Sequence, residues 1–247
     1  MLHKTRAIVL HHIRYRDTSI IAKCYTEAFG VQSYMVNGIR TAASAGGKSK
    51  SAISMAYFQP LSAIDMVVYH KPGQPINRIS TIAFADVDAL QSQNIVKGTM
   101  RLFMAEMLLK VLREEEPDQD LFAFLFSALS AFELADSGYE NFHLQFLLKL
   151  STYLGFGLGG SFGTAGYRIG LEQQNGLLSG AVQAINHGQS LPSANKDDLL
   201  QMPFFAHLPM SGHQRSHLLY ELLAYYRQHL PEFGTLRSLD VLQAVFA

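Results

Sequence analysis

Near Asp86 the spacing of apolar residues changes, and this single change constrains the fold more than any motif does. Before it, short apolar and β-branched runs alternate with turn signals. After it, apolar residues recur at the three-to-four-residue interval of a helix. A chain that switches period once reads as α+β, a strand-built part followed by a helical part.

The first part predicts strands over residues 5–11, 20–26, 32–39, 55–69 and 76–84. Glu27-Ala28-Phe29-Gly30 joins the second run to the third, and its glycine suits the positive φ of a bulged hairpin. Pro60 inside the fourth run points to an edge position or a bulge. Pro72-Gly73 marks a turn, and residues 41–51, small and basic, read as a loop. Five short strands in about eighty residues fit a small closed barrel, and an OB-fold is the form that suits a basic surface.

Helices are expected from the Ile95, Leu102, Met107 and Val111 stretch, which ends at Glu114-Glu115-Glu116-Pro117. Asp118 is the expected N-cap of a second, over residues 121–134, and a third covers 142–154 with Gly155 beyond its end. Residues 155–180 hold nine glycines, which predicts an irregular excursion. Regular structure is expected again over 181–187. Ser211-Gly212-His213-Gln214 fits a capping box opening a helix to His229, stopped by Pro231, and a last helix spans 238–246. The expected division is a barrel over 1–82 and a helical domain over 83–247.

Charge follows the same division. Residues 1–80 hold ten Lys or Arg against three acids, a net of +7, and the remainder carries −7, so the total of zero conceals both. No apolar run approaches the ~18 residues of a membrane span. The apolar stretch Ala7-Ile8-Val9-Leu10 is too short for a signal-peptide core. One cysteine, Cys24, leaves no internal disulfide and no multi-cysteine zinc site. The expected address is a reducing cytoplasm.

Several motifs fail on context. Residues 42–49 end like a P-loop, but Ala42 stands where the first glycine belongs and no helix is recognisable after it. Gly155-Phe156-Gly157-Leu158-Gly159-Gly160 matches GxGxxG, yet it follows a helix where a dinucleotide fingerprint follows a strand. His213 and His217 are four apart on a helix without the glutamate of a metalloprotease, and read as solvent-facing. His11 and His12 alternate across a strand and so point to opposite faces. Cys24 reads as a buried, inert thiol. No catalytic constellation emerges, and no enzymatic activity or cofactor is expected.

What remains is the basic N-terminal set, interleaved with Tyr15, Tyr25, Tyr34, Tyr57 and Tyr69. Single-strand binders combine a positive groove with aromatic faces on which bases stack. Some of these tyrosines fill the barrel, so only a subset serves as platforms. The best candidates for phosphate contacts are Arg6, Arg16, Lys23, Arg40, Lys48, Lys50 and Lys71, although strand alternation need not put all seven on one face. Rival readings are a protein-interaction adaptor and an RNA binder built on the same barrel.

Short segments spread along the chain are similar to the RecO recombination mediators of bacterial DNA repair. They are Thr5-Arg6-Ala7-Ile8-Val9-Leu10, Tyr15-Arg16-Asp17-Thr18-Ser19-Ile20-Ile21, Tyr25-Thr26-Glu27-Ala28-Phe29-Gly30, Val36-Asn37-Gly38-Ile39-Arg40 and Phe58-Gln59-Pro60-Leu61. Phe146-Leu147-Leu148-Lys149-Leu150 and Leu236-Arg237-Ser238-Leu239-Asp240-Val241-Leu242 continue the likeness. The resemblance implies an N-terminal OB-fold, a helical C-terminal domain and a mediator without turnover, found in the bacterial cytoplasm and at the nucleoid when acting on DNA. It further implies binding to single- and double-stranded DNA and annealing of complementary strands. The implied partners are RecR, the acidic C-terminal tail of single-strand-binding protein (SSB) and, indirectly, RecA. Two departures stand out. The family often has Lys-Gly-x-Arg where this chain has Asn37-Gly38-Ile39-Arg40, so only Arg40 carries over. Many members also carry a four-cysteine zinc module where residues 155–180 lie; with no cysteine there, no zinc is expected, and the segment is either a metal-free remnant or a loop.

Overall fold

A computed structural model describes residues 1–39, 53–85, 94–112, 116–157 and 211–246. Five strands, β1 (Leu2–Tyr15), β2 (Ser19–Thr26), β3 (Gly30–Val36), β4 (Ala63–Tyr69) and β5 (Asn77–Phe84), close into a barrel in the order β1-β2-β3-β5-β4. Every pairing is antiparallel except β3 with β5. This is the OB-fold expected of five short strands with a basic surface. Gly30 turns the β2–β3 hairpin at φ 61°, a conformation that glycine reaches without steric cost.

Alternation fills the barrel. Ala7 and Val9 of β1, Ala22 and Cys24 of β2, Tyr34 and Val36 of β3, and Ile64, Met66 and Val68 of β4 pack inward. Phe58 is fully buried in the same core. The Cys24 thiol is fully buried and pushed up to about 12 by that burial, which makes it inert.

The fourth expected strand is corrected. Met55–Phe58 is a 3₁₀ turn capped by Ser54, and β4 begins only at Ala63. Pro60 has no N–H to give a ladder, and Leu61 adopts φ 63°, which no strand tolerates. Its N–H donates instead to the Val9 carbonyl at 2.7 Å. The first strand is longer than expected, 14 residues, because a β-bulge between Val9 and His11 lets it bend and go on pairing with β2.

Contacts divide the chain into two units, Met1–Leu134 and Ala135–Ala247. The first joins the barrel to α1 (Ile95–Val111) and α2 (Gln119–Leu134). The division falls after α2 because α1 packs along β1 and α2 lays Phe122 beside Tyr25, with ring centroids 5.9 Å apart. Asp118 caps α2, its side chain accepting from Leu121 N–H at 2.9 Å. The two helices are clamped by buried charge. Glu133 accepts two bonds from Arg101 at 2.9 and 3.0 Å, and its carbonyl accepts from Lys97 Nζ at 2.9 Å.

The second unit holds α3 (Phe142–Tyr153), α4 (Gly212–His229) and α5 (Ser238–Phe246). Phe142, Phe146, Leu147 and Leu150 of α3 are buried, as are Leu218, Leu222, Leu223 and Tyr226 of α4. Tyr226 also donates its hydroxyl to the Leu147 carbonyl at 2.8 Å. The Ser211–Gln214 capping box forms as the sequence predicts. At the end of α3, Gly155 takes φ 84°, with Gly155 N–H bonded to Thr152 O and Phe156 N–H to Ser151 O. That pair of bonds is a Schellman motif, so the first part of the GxGxxG match is a helix end. The rest of the glycine-rich excursion and residues 181–187 lie outside the described residues.

Candidate nucleic-acid interface

The outer face of β1, β2 and β3 is built of rows fixed by register. Directly paired residues share a face and lie about 5 Å apart. Ile8, Tyr25 and Val31 form one row, all of it buried, with Tyr25 donating to the Asp118 carbonyl at 3.3 Å. Next along the strands come His11, Lys23 and Ser33, and then Ile13, Ile21 and Met35. This last row is open. Ile13 is 51% exposed, and Ile21 and Met35 are half-buried. Beyond Met35 the row continues through Arg78 of β5 to Tyr69 of β4, which is 52% exposed. The bulge at Val9/His11 makes this arrangement possible, because it shifts the alternation of β1 by one and turns Ile13 outward.

OB-folds bind oligonucleotides on the β2–β3 face and through the loops joining β1 to β2 and β4 to β5. Three expected contact residues fall there. Lys23 lies on the outer face of β2, paired with His11 and Ser33. Arg16 sits in the β1–β2 turn at φ 52°, with its guanidinium 5.3 Å from the Tyr15 ring centroid. Lys71 is exposed in the β4–β5 loop, where its backbone N–H donates to Asn77 Oδ1 at 3.1 Å. No described carboxylate forms an ion pair with any of the three, nor with Arg78.

Arg6 is different. Its guanidinium donates to both Glu27 oxygens, at 2.9 and 2.6 Å, and lies 4.9 Å from the Phe126 centroid and 5.6 Å from Phe122. The hydrogen bonds from Arg6 hold the Glu27 carboxyl below its ordinary range, so the charge of Arg6 is compensated where it stands. Arg40, Lys48 and Lys50, with the P-loop-like residues 42–49, lie outside the described residues. Asn37, at the position of the family's lysine, accepts a hydrogen bond from Ser19 Oγ at 3.2 Å and ties β3 to β2.

The tyrosines separate clearly. Tyr34 is inside the barrel, Tyr25 is covered by α2, and Tyr57 packs on Phe84 with centroids 4.5 Å apart. Tyr15 is half-buried, and Tyr69 is open to solvent. His11 pairs with Lys23 on the outer face and His12 with core residue Ala22, so the two side chains leave β1 on opposite sides, with ring centroids 6.3 Å apart and planes 20° from parallel. His12 Nδ1 is 3.0 Å from the Phe58 carbonyl, and the His11 imidazole is lowered by burial, by His12 and by Lys23. Among the described residues no three His, Cys, Asp or Glu side chains gather as a metal site, and His213 and His217 are exposed. No described helix is long and apolar enough to cross a membrane.

Sequence reasoning missed Ile13, Ile21, Met35 and Arg78 as members of this face. Arg78 was visible as a charge, but its place beside Met35 depends on the parallel β3–β5 pairing.

The comparisons with known proteins agree along the whole chain. Residues 1–87 match the family model described as Recombination protein O N terminal, and residues 92–240 match Recombination protein O C terminal. A protein of Phocaeicola vulgatus named DNA repair protein RecO is 34% identical over 254 residues, with all of both chains covered. Proteins of the same name from Azobacteroides pseudotrichonymphae, 30% identical with full coverage of both, and Flavobacterium psychrophilum, 32% identical with 99% of both covered, are also similar.

Proposed function

Because the chain belongs to the RecO family of DNA repair proteins, we propose that it acts as a recombination mediator without turnover, with its barrel holding the DNA backbone. The observation that carries this reading is the set of cations without a described acidic partner, Arg16, Lys23, Lys71 and Arg78, placed on the strands and loops where an OB-fold meets an oligonucleotide. Annealing two strands requires their backbone charge to be neutralised without their sequence being read, and scattered Lys and Arg side chains meet that requirement.

In this reading the protein binds single- and double-stranded DNA and anneals complementary strands. Together with RecR it loads RecA onto DNA coated by SSB, whose acidic tail it recognises through the helical part. It works in the bacterial cytoplasm, at the nucleoid. Arg16, Lys23 and Lys71 contact phosphates, joined by Arg78 and by the basic segment of Arg40, Lys48 and Lys50. Arg6 is assigned to the barrel's own stability.

The test is strand annealing on complementary oligonucleotides coated with SSB. The expected result is annealing that falls steeply with salt and is lost on charge reversal at Lys23 and Arg78. DNA binding without annealing would reduce the protein to a generic binder. Absence of DNA binding at low salt would favour an adaptor, and preference for RNA over DNA of equal length would favour an RNA binder.

A further inference from the structure

We propose that Ile13, Ile21 and Met35 form an apolar floor for the unpaired bases of a single strand, which makes this barrel face selective for single strands over duplex. The proposal rests on the reading of the barrel as a DNA-binding surface and adds which form of DNA the face accepts.

Three observations support it. First, the floor is continuous and open. Its three side chains are direct cross-strand neighbours on three adjacent strands, and Arg78 and Tyr69 extend it across two more. Exposed aliphatic groups in a row attract a partner with an apolar face, and every unstacked base has one.

Second, the charges around the floor are those a polyanion needs. The row beside it, about 7 Å away along the strands, carries His11 and Lys23. Arg16 lies at its β1–β2 end and Arg78 within it. Of the described acids in the barrel, Glu27 is bound to Arg6, Asp65 is on β4 opposite Arg6, and Asp17 adjoins the face, in the turn beside Arg16. A sugar-phosphate chain along the Lys23 row leaves its bases over Ile13, Ile21 and Met35. An apolar peptide would leave these cations without partners.

Third, a duplex does not use the floor. Its bases are stacked inside, and its outer surface is phosphate and sugar, so Ile13 and Met35 would meet charge and water. Duplex contact with this face is therefore confined to the cations, whereas a single strand gains from both rows.

The experiment compares the full chain with the double variant Ile13→Ser/Met35→Ser, which changes no charge, and with Met35→Phe. The probes are a labelled oligo-dT of about twenty nucleotides and a blunt duplex of the same length, each titrated over the same series of salt concentrations. For the double variant the proposal expects about tenfold weaker single-strand binding, duplex binding within about twofold, and an unchanged salt slope. Met35→Phe should keep or tighten single-strand binding, which also shows that the face still folds. Equal losses for both probes, or no loss for either, would overturn the floor. Charge reversal at Lys23 and Arg78 separates the two levels. If it removes binding while the serine variant changes nothing, the floor fails and the basic face stands; if wild type binds neither probe, the underlying reading fails.

Discussion

Two apolar rows lie on the same outer face of the barrel, and only one is covered. Ile8, Tyr25 and Val31 are buried, with Tyr25 at 2% exposure against Phe122 of α2. Ile13, Ile21 and Met35, a few residues away along the same strands, remain open. The cations beside them differ in the same sense. Arg6, next to the covered row, is paired with Glu27 and stacked on α2, while Lys23 and Arg78, at the open row, have no described carboxylate partner. Strand alternation sends both rows outward, and what each then meets decides whether it stabilises the fold or binds a ligand.

This contrast can be broken by experiment. The largest effect is expected at the covered row. Tyr25→Ala removes a buried ring and its hydrogen bond to Asp118, and should cost about 3 kcal/mol in urea unfolding. A loss below about 1 kcal/mol would show that the row is not a packed interface.

The next effect belongs to the open row. Lys23→Glu with Arg78→Glu should weaken oligo-dT binding by more than about tenfold at low salt and flatten the slope of log K against log salt by at least ~1.4, near 0.7 per lost phosphate contact. An unchanged slope in anisotropy titrations would remove these two residues from the contact set.

A smaller effect concerns pH. His11 is lowered by burial, His12 and Lys23, so in the free protein it gains its proton only below the ordinary histidine range. A nearby phosphate favours the charged form, so binding takes up a proton and should tighten a few-fold as pH falls from about 7.5 to 6. The sign for folding is the opposite. With the folded value depressed, the unfolded chain holds more proton between that value and about 6.5, so the contribution of His11 to stability is lost as pH falls from about 6.5 through the folded value. His11→Ala should remove the tightening, and an identical pH profile in the variant would contradict the assignment.

The smallest effect is expected at Arg6. Its ion pair is partly exposed, so Arg6→Ala should cost no more than about 1 kcal/mol of stability and leave oligo-dT affinity within about twofold. A larger loss of affinity would place Arg6 in the interface and weaken the contrast with Lys23.

The sequence made most of the architecture legible, because it is written in local patterns. Alternation located the five strands, and Asp118, Gly155 and the Ser211–Gln214 pair marked helix ends that the structure reproduces. The errors share a cause. Met55–Phe58 has the composition of a strand but forms a 3₁₀ turn, and Pro60 with the positive φ at Leu61 keeps the ladder from starting before Ala63. The pairing of Arg6 with Glu27, 21 residues away across a hairpin, is likewise not announced by any local pattern. Ile13 would point inward on an unbroken strand, and one extra residue at the bulge reverses it. Arg78 reaches the face through a parallel pairing that no local pattern announces. The interface was therefore visible as charge and invisible as geometry.

Methionine oxidation tests the contrast most directly, because Met35 stands in the open row and is half-exposed. The intact protein is treated briefly with peroxide, with and without saturating oligo-dT, and oxidation at Met35 is followed by mass spectrometry. Buried Met66 of the barrel core serves as the internal reference. The account predicts that Met35 oxidises readily in the free protein and is protected several-fold by the single strand, while Met66 stays unreactive in both. Unchanged Met35 oxidation under saturating DNA would contradict it.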